Sequence, residues 1–70
     1  MTAIVASLAG TVFKVLVKPG DHVAAGQEVV IMESMKMEIP IEVETAGVVQ
    51  EVPAEEGLFV NEGDPLVILS

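Results

Sequence analysis

The chain contains no cysteine, tryptophan, tyrosine or arginine, and only two phenylalanines among 70 residues. Without cysteine there is no disulfide to staple the fold and no thiolate to hold a metal, and a single histidine, His22, excludes a histidine-rich centre. Basic residues are almost as scarce. Three lysines face eleven carboxylates, and the net charge of -8 repels phosphate backbones and anionic lipid surfaces. Nucleic-acid binding and membrane association are therefore not expected. No apolar run is longer than Val29 to Met32, far short of the roughly 20 residues that cross a bilayer. The opening MTAIVASLAG has no basic stretch before its apolar residues, so no secretory leader is expected and a cytoplasmic location is. The length suits one domain, residues 1–70, near the size at which one hydrophobic core can just sustain a fold.

What the chain does contain is a duplication. Residues 10–33, GTVFKVLVKPGDHVAAGQEVVIME, align without a gap on residues 47–70, GVVQEVPAEEGLFVNEGDPLVILS, at a constant offset of 37. Identities include Gly10/Gly47, Val12/Val49, Val15/Val52, Gly20/Gly57, Val23/Val60, Gly26/Gly63, Val30/Val67 and Ile31/Ile68. The shared glycines read as turn positions and the shared aliphatics as buried ones. Each copy has the pattern strand, turn, short strand, turn, strand, with PGD at 19–21, AAGQ at 24–27 and NEGD at 61–64 as turn clusters. No window shows a helical apolar period free of glycine or proline. The pattern predicts an all-β protein, a flattened barrel or sandwich with an approximate twofold axis, in which the two units close face to face. Such an axis relates the linker at 34–46 to the paired chain ends and places Lys36 at the pole opposite the termini.

Lys36 is the one lysine in that linker, in the stretch ESMKME from Glu33 to Glu38. From Met37 onward Met37, Ile39, Ile41 and Val43 share one face of a strand, while Glu38, Pro40, Glu42 and Glu44 share the other. In that phase Lys36 faces solvent. Before it, Val29 to Met32 is apolar on both faces until Glu33 and Ser34 break the run. The spacing predicts a tight hairpin over Ser34 to Met37, without the asparagine-glycine pair such turns favour. By themselves an exposed lysine is a solvated charge and a methionine a core filler. Set symmetrically at the single break in a repeat, Met35, Lys36 and Met37 stand out together.

This triplet, preceded by Glu33-Ser34 and set within the duplicated G-x-V and G-x-x-V-x-x-G spacing, resembles the biotin-attachment domain of biotin carboxyl carrier proteins, above all its stand-alone members. The resemblance covers nearly the whole chain and implies an eight-stranded barrel-sandwich hybrid with biotin joined by an amide to Lys36. Met35 and Met37, with Ser34 and Glu33 before them, belong to the signature around that lysine. Two departures stand: Ser34 occupies a position where alanine is commoner, and the gapless repeat leaves no room for the protruding thumb that some bacterial carriers insert. The implied partners are a biotin protein ligase using biotinyl-adenylate, a biotin carboxylase and a carboxyltransferase, with carboxyl groups shuttled between the last two. The implied carrier is a monomer on its own.

A free lysine has a reference pKa of about 10.4, so an attachment enzyme must remove the proton. Nothing in the sequence argues for catalysis by this chain. Ser7, Ser34 and Ser70 lack histidine–carboxylate partners, and no phosphate-binding glycine loop precedes a helix. Glu33/Glu38 and Glu55/Glu56 read as solvated charges, and His22 as a partly buried packing residue. Lipoyl carriers present a similar lysine hairpin, usually in an Asp-Lys-Ala context, so a lipoyl or doubly modified carrier is the alternative. A second one is an unmodified structural or interaction barrel.

Overall fold

The computed structural model describes all 70 residues, and its regular elements are eight strands with no helix. They are β1 (Thr2–Val5), β2 (Gly10–Val15), β3 (His22–Val23), β4 (Glu28–Ser34), β5 (Met37–Glu42), β6 (Gly47–Glu51), β7 (Phe59–Val60) and β8 (Pro65–Leu69). Two four-stranded sheets result, in the orders β1-β8-β6-β3 and β5-β4-β2-β7. Adding 37 to each residue number turns β1, β2, β3 and β4 into β5, β6, β7 and β8, and so converts one sheet order into the other. The duplication is thus a twofold axis that exchanges the sheets, as the repeat predicts.

The halves do not close face to face as separate units. Each sheet takes two strands from each half, so the two copies interlock. The physical reason lies in the turns, whose backbone groups bond across the halves. Gly20 N–H donates to the Val49 carbonyl at 2.8 Å, and its mate Gly57 donates to Val12 at 2.8 Å. Gly26 donates to Val43 and Gly63 to Ala6, again both at 2.8 Å. Gly20, Gly26, Gly57 and Gly63 all have φ between 86° and 94°, where a side chain is strained, so the glycines let each turn aim its N–H at the other copy. Side chains reinforce two of these turns in the same way: Ala24 N–H donates to Gln27 Oε1 at 3.0 Å and Asn61 N–H to Asp64 Oδ2 at 2.9 Å.

The core obeys the same symmetry. Its fifteen buried residues are seven mates, 6/43, 12/49, 17/54, 23/60, 29/66, 30/67 and 32/69, together with Ile41. No polar side chain is buried. Val29 and Val30 are adjacent yet both fully buried, which strict alternation forbids. A bulge between Glu28 and Val30 resolves this by slipping one residue against β5, and the same slip recurs on β8 at Leu66. The apolar run that looks two-faced in the sequence is a bulged strand feeding one core.

Two sequence expectations are corrected. Gly10 and Gly47 begin strands rather than turns. A Cβ on Gly10 would stand 2.7 Å from the Glu33 carbonyl oxygen, whereas one on Gly47 would meet the Leu69 side chain at 3.3 Å. His22 is exposed, not partly buried, because the two-residue strand β3 turns Val23 inward and its neighbour outward.

The Lys18–Asp21 ion pair has no counterpart in the other half, where Glu55 and Leu58 occupy the mates. The Lys18 N–H donates to Asp21 Oδ2 at 2.9 Å and its ammonium lies 3.2 Å from Oδ1. That backbone hydrogen bond, followed by the ammonium one, holds the Asp21 carboxyl below its ordinary value of 3.8. A depressed carboxylate stabilises the fold above its unfolded pKa, and the contribution is lost as pH falls through the folded value. Denaturant unfolding across pH should therefore show the parent more stable than Asp21→Asn above about pH 4, with the difference shrinking in stronger acid. Gly10→Ala should lower the unfolding free energy by about 1–3 kcal/mol, and Gly47→Ala by less, since one clash is with backbone and the other with a movable leucine end.

Candidate functional site

Strands β4 and β5 form the hairpin that the sequence predicts. Their register pairs Glu28 with Glu42, Ile31 with Pro40, Met32 with Ile39, Glu33 with Glu38 and Ser34 with Met37. Only Met35 and Lys36 remain between the strands, as a two-residue turn. Both have positive φ, 53° and 64° respectively, and they are the only non-glycine residues in the chain that do. A two-residue hairpin loop with positive φ at both centres is the type I′ turn, whose twist matches that of paired strands. Its usual occupants are asparagine and glycine. Methionine and lysine are held in the left-handed region here at about 1–2 kcal/mol each, a strain that the closed ladder of β4 and β5 imposes.

Burial falls steadily toward this tip. Along the inner face of β5 and the residue just beyond it, Val43 and Ile41 are buried, Ile39 is half-buried and Met37 is 64 % exposed. On β4, Met32 is fully buried while Met35 is 91 % exposed. Of the chain's methionines flanking the lysine, neither fills the core; both stand in water beside Lys36. The hairpin thus projects beyond the packed sandwich. Behind it, Gly10 supports the base by approaching the Glu33 carbonyl closely enough that no side chain fits between.

Lys36 is exposed, and its ammonium makes no hydrogen bond or ion pair; the chain's one salt bridge is Lys18–Asp21. Glu33 and Glu38 lie directly opposite one another on the outer face of the hairpin, exposed, and neither reaches the lysine. Ser34, half-buried, closes the turn against Met37 without a side-chain hydrogen bond. All five residues singled out in the sequence, Glu33, Ser34, Met35, Lys36 and Met37, therefore come together in one tip. The other polar candidates do not join it. His22 lies at the edge of the opposite sheet, and Glu56 accepts a hydrogen bond from Val15 N–H at 3.1 Å.

The twofold axis carries the tip onto the paired ends of the chain, where Thr2 stands opposite Leu69, so tip and termini lie on opposite sides of that axis. Gly10 was legible only as a repeated glycine; its place beneath the hairpin is a tertiary fact. Also missed was the extension of the repeat to the edge strands, which Ile4/Ile41 and Ala9/Ala46 signal at the same offset.

The arrangement is a free amine on a rigid, protruding support, with no cradle of titrating groups and no cluster of carboxylates or imidazoles able to hold a metal ion. It suits covalent attachment of a carried group. Comparison with known proteins agrees: residues 2–69 match the biotin/lipoyl family described as "Biotin-requiring enzyme". The chain belongs to this family. It is a domain of the biotin carrier type, and biotin is the cofactor that the family description names.

A biotin/lipoyl attachment protein from Bacillus subtilis is 59% identical over 63 residues, covering 90% of this chain and 86% of that one. A biotin carboxyl carrier protein from Streptococcus mutans is 42% identical over 65 residues, covering 93% of this chain and half, 50%, of its own length. The crystal structure of the Kluyveromyces lactis urea carboxylase superposes with a TM-score of 0.91 at 29% identity, over 99% of this chain and 6% of that one. Its two departures noted in the sequence are consistent with the geometry. Ser34 fits the hairpin without distortion, and β4 runs directly into the turn with no thumb.

Because the turn is strained at Met35, Met35→Asn should raise the unfolding free energy by about 0.5–1 kcal/mol, read from the shift of the denaturant midpoint at constant m-value.

Proposed function

We propose that Lys36 is the residue to which biotin is joined, and that the loaded domain serves a biotin carboxylase and a carboxyltransferase without catalysing either step. The observation that carries this reading is the turn itself: a lone, unpaired lysine at the second position of a strained two-residue loop, held clear of the core. When bound, biotin supplies a ureido nitrogen on which a carboxyl group travels. Everything else is positioning by the chain. The β4–β5 ladder fixes the direction of the Lys36 Cα, and the lysine stem sets the reach of the arm. The exposed Met35 and Met37 offer soft apolar surface on either side of it.

The chain supplies no base to Lys36. No carboxylate or imidazole touches its amine, so no group of the chain is placed to take a proton from it. Removal of that proton and activation of the acyl group belong to a biotin protein ligase. A protruding hairpin lets such an enzyme close around the amine without unfolding the domain. The high negative charge favours a monomeric carrier.

A lipoyl group is the second reading, favoured by one observation: the Bacillus subtilis relative is named for both groups. The test is the intact mass of the protein after incubation with a biotin protein ligase, biotin and ATP, followed by peptide mapping. One biotinyl group on Lys36 is expected. Lys36→Arg should take up none, while its unfolding free energy changes by less than about 0.5 kcal/mol. Biotin on Lys14 or Lys18 would overturn the assignment; no gain with an active ligase, and loading by a lipoyl attachment enzyme, would establish the second reading.

A further inference from the structure

The twofold relation between the halves offers an internal control for every surface position: a residue and its mate at offset 37 occupy the same place on the same scaffold. Several exposed mates differ in polarity, Val5/Glu42 among them, and one region stands out because it gathers the aromatic side chains. Phe13, Leu58 and Phe59 are exposed by 40%, 44% and 61%, whereas their mates are Gln50, Asp21 and His22. The fold tolerates polar side chains at these places, so packing does not demand the apolar ones. Both aromatic residues of the chain are among them.

The register shows where this patch lies. Phe59 stands opposite Thr11, Thr11 opposite Glu33, and Glu33 opposite Glu38, one continuous row across β7, β2, β4 and β5. Residues directly opposite one another share a face, so Phe59 and the acidic pair at the base of the hairpin belong to one outer surface. Two strand spacings separate Phe59 from Glu33, about 10 Å. Phe13 extends the apolar end along β2, where a bulge between Val12 and Lys14 adds a residue beyond the buried Val12. The surface therefore runs from an apolar end at Phe13 and Phe59 to an acidic end beside Lys36.

Building on the assignment of Lys36, we propose that this row is the docking surface for the biotin protein ligase, which meets it with an apolar hollow for Phe59 and Phe13 and basic side chains facing Glu33 and Glu38. Reach decides between partners. Before loading, the reactive amine sits on only a four-carbon stem, so the ligase must press against the body of the domain to enclose it. After loading the arm is much longer, and the enzymes that use it can work with the body held further off. A surface this close to Lys36 is thus covered most closely in the attachment step. A second copy of the chain is a poor occupant. Two chains of net charge -8 repel, and three exposed side chains fall well short of the roughly 800 Å² per partner that stable interfaces bury.

The test exchanges residues for their own mates. Phe13→Gln with Phe59→His, and Phe59→His alone, are loaded by a biotin protein ligase in steady-state assays at varied carrier concentration, with thermal unfolding and sedimentation measured alongside. The expected result is a KM for the carrier raised about tenfold in the double variant, kcat within about twofold, and an unchanged melting temperature and monomeric state. Gln50→Ala, on the mate surface, should leave KM unchanged. An unaltered KM in both folded variants overturns the docking surface while leaving Lys36 as the attachment point. Loss of a parent dimer in the variants overturns it in favour of self-association. Failure of the parent to load on Lys36 overturns both readings together.

Discussion

Neither half of this chain can cover its own apolar side chains, and that shortage shapes the molecule. Seven buried residues of one copy meet their seven mates from the other, mostly valines too small to build a core alone. Burial of such side chains is the main favourable term in a domain this small, with no disulfide and no buried ion pair to assist. The halves respond by interlocking, two strands of each in either sheet, with glycine turns that donate across the boundary. A half folded by itself would leave both its core face and those turn amides unmatched.

The functional tip follows from the same arrangement. The axis that closes the core must carry the link between the copies onto the pair of free ends, and the only way to join β4 to β5 at that register is a two-residue turn. Strain at Met35 and Lys36 is the local consequence. In return the lysine occupies a position that the core cannot draw inward, because burial along β5 has already fallen away by Met37. The symmetry that stabilises the domain thus presents its amine, and the departure from symmetry at Phe13 and Phe59 marks where the presenting face differs from its twin.

The sequence by itself determined a good deal. The offset of 37 fixed the duplication, the axis and the all-β architecture, since glycine and aliphatic positions recur with the spacing of turns and strands. Alternation from Met37 to Glu44 fixed which face of β5 turns inward, and the break at Glu33-Ser34 located the hairpin. The resemblance carried by Met35-Lys36-Met37 pointed to biotin. These features are local or periodic, and local backbone preference and side-chain alternation are written along the chain.

Only the tertiary structure decided how the copies share their strands, because face-to-face closure and interlocking satisfy the same hydrophobic pattern and differ in which turn amides find which carbonyls. It also decided that Val29 and Val30 face one core through a bulge, that Gly10 is needed for closeness to Glu33 and not for a turn, and that His22 lies in water. Each of these depends on a partner distant in sequence. The row from Phe59 to Glu38 spans four strands drawn from both halves, and no pattern along one strand could place its members side by side.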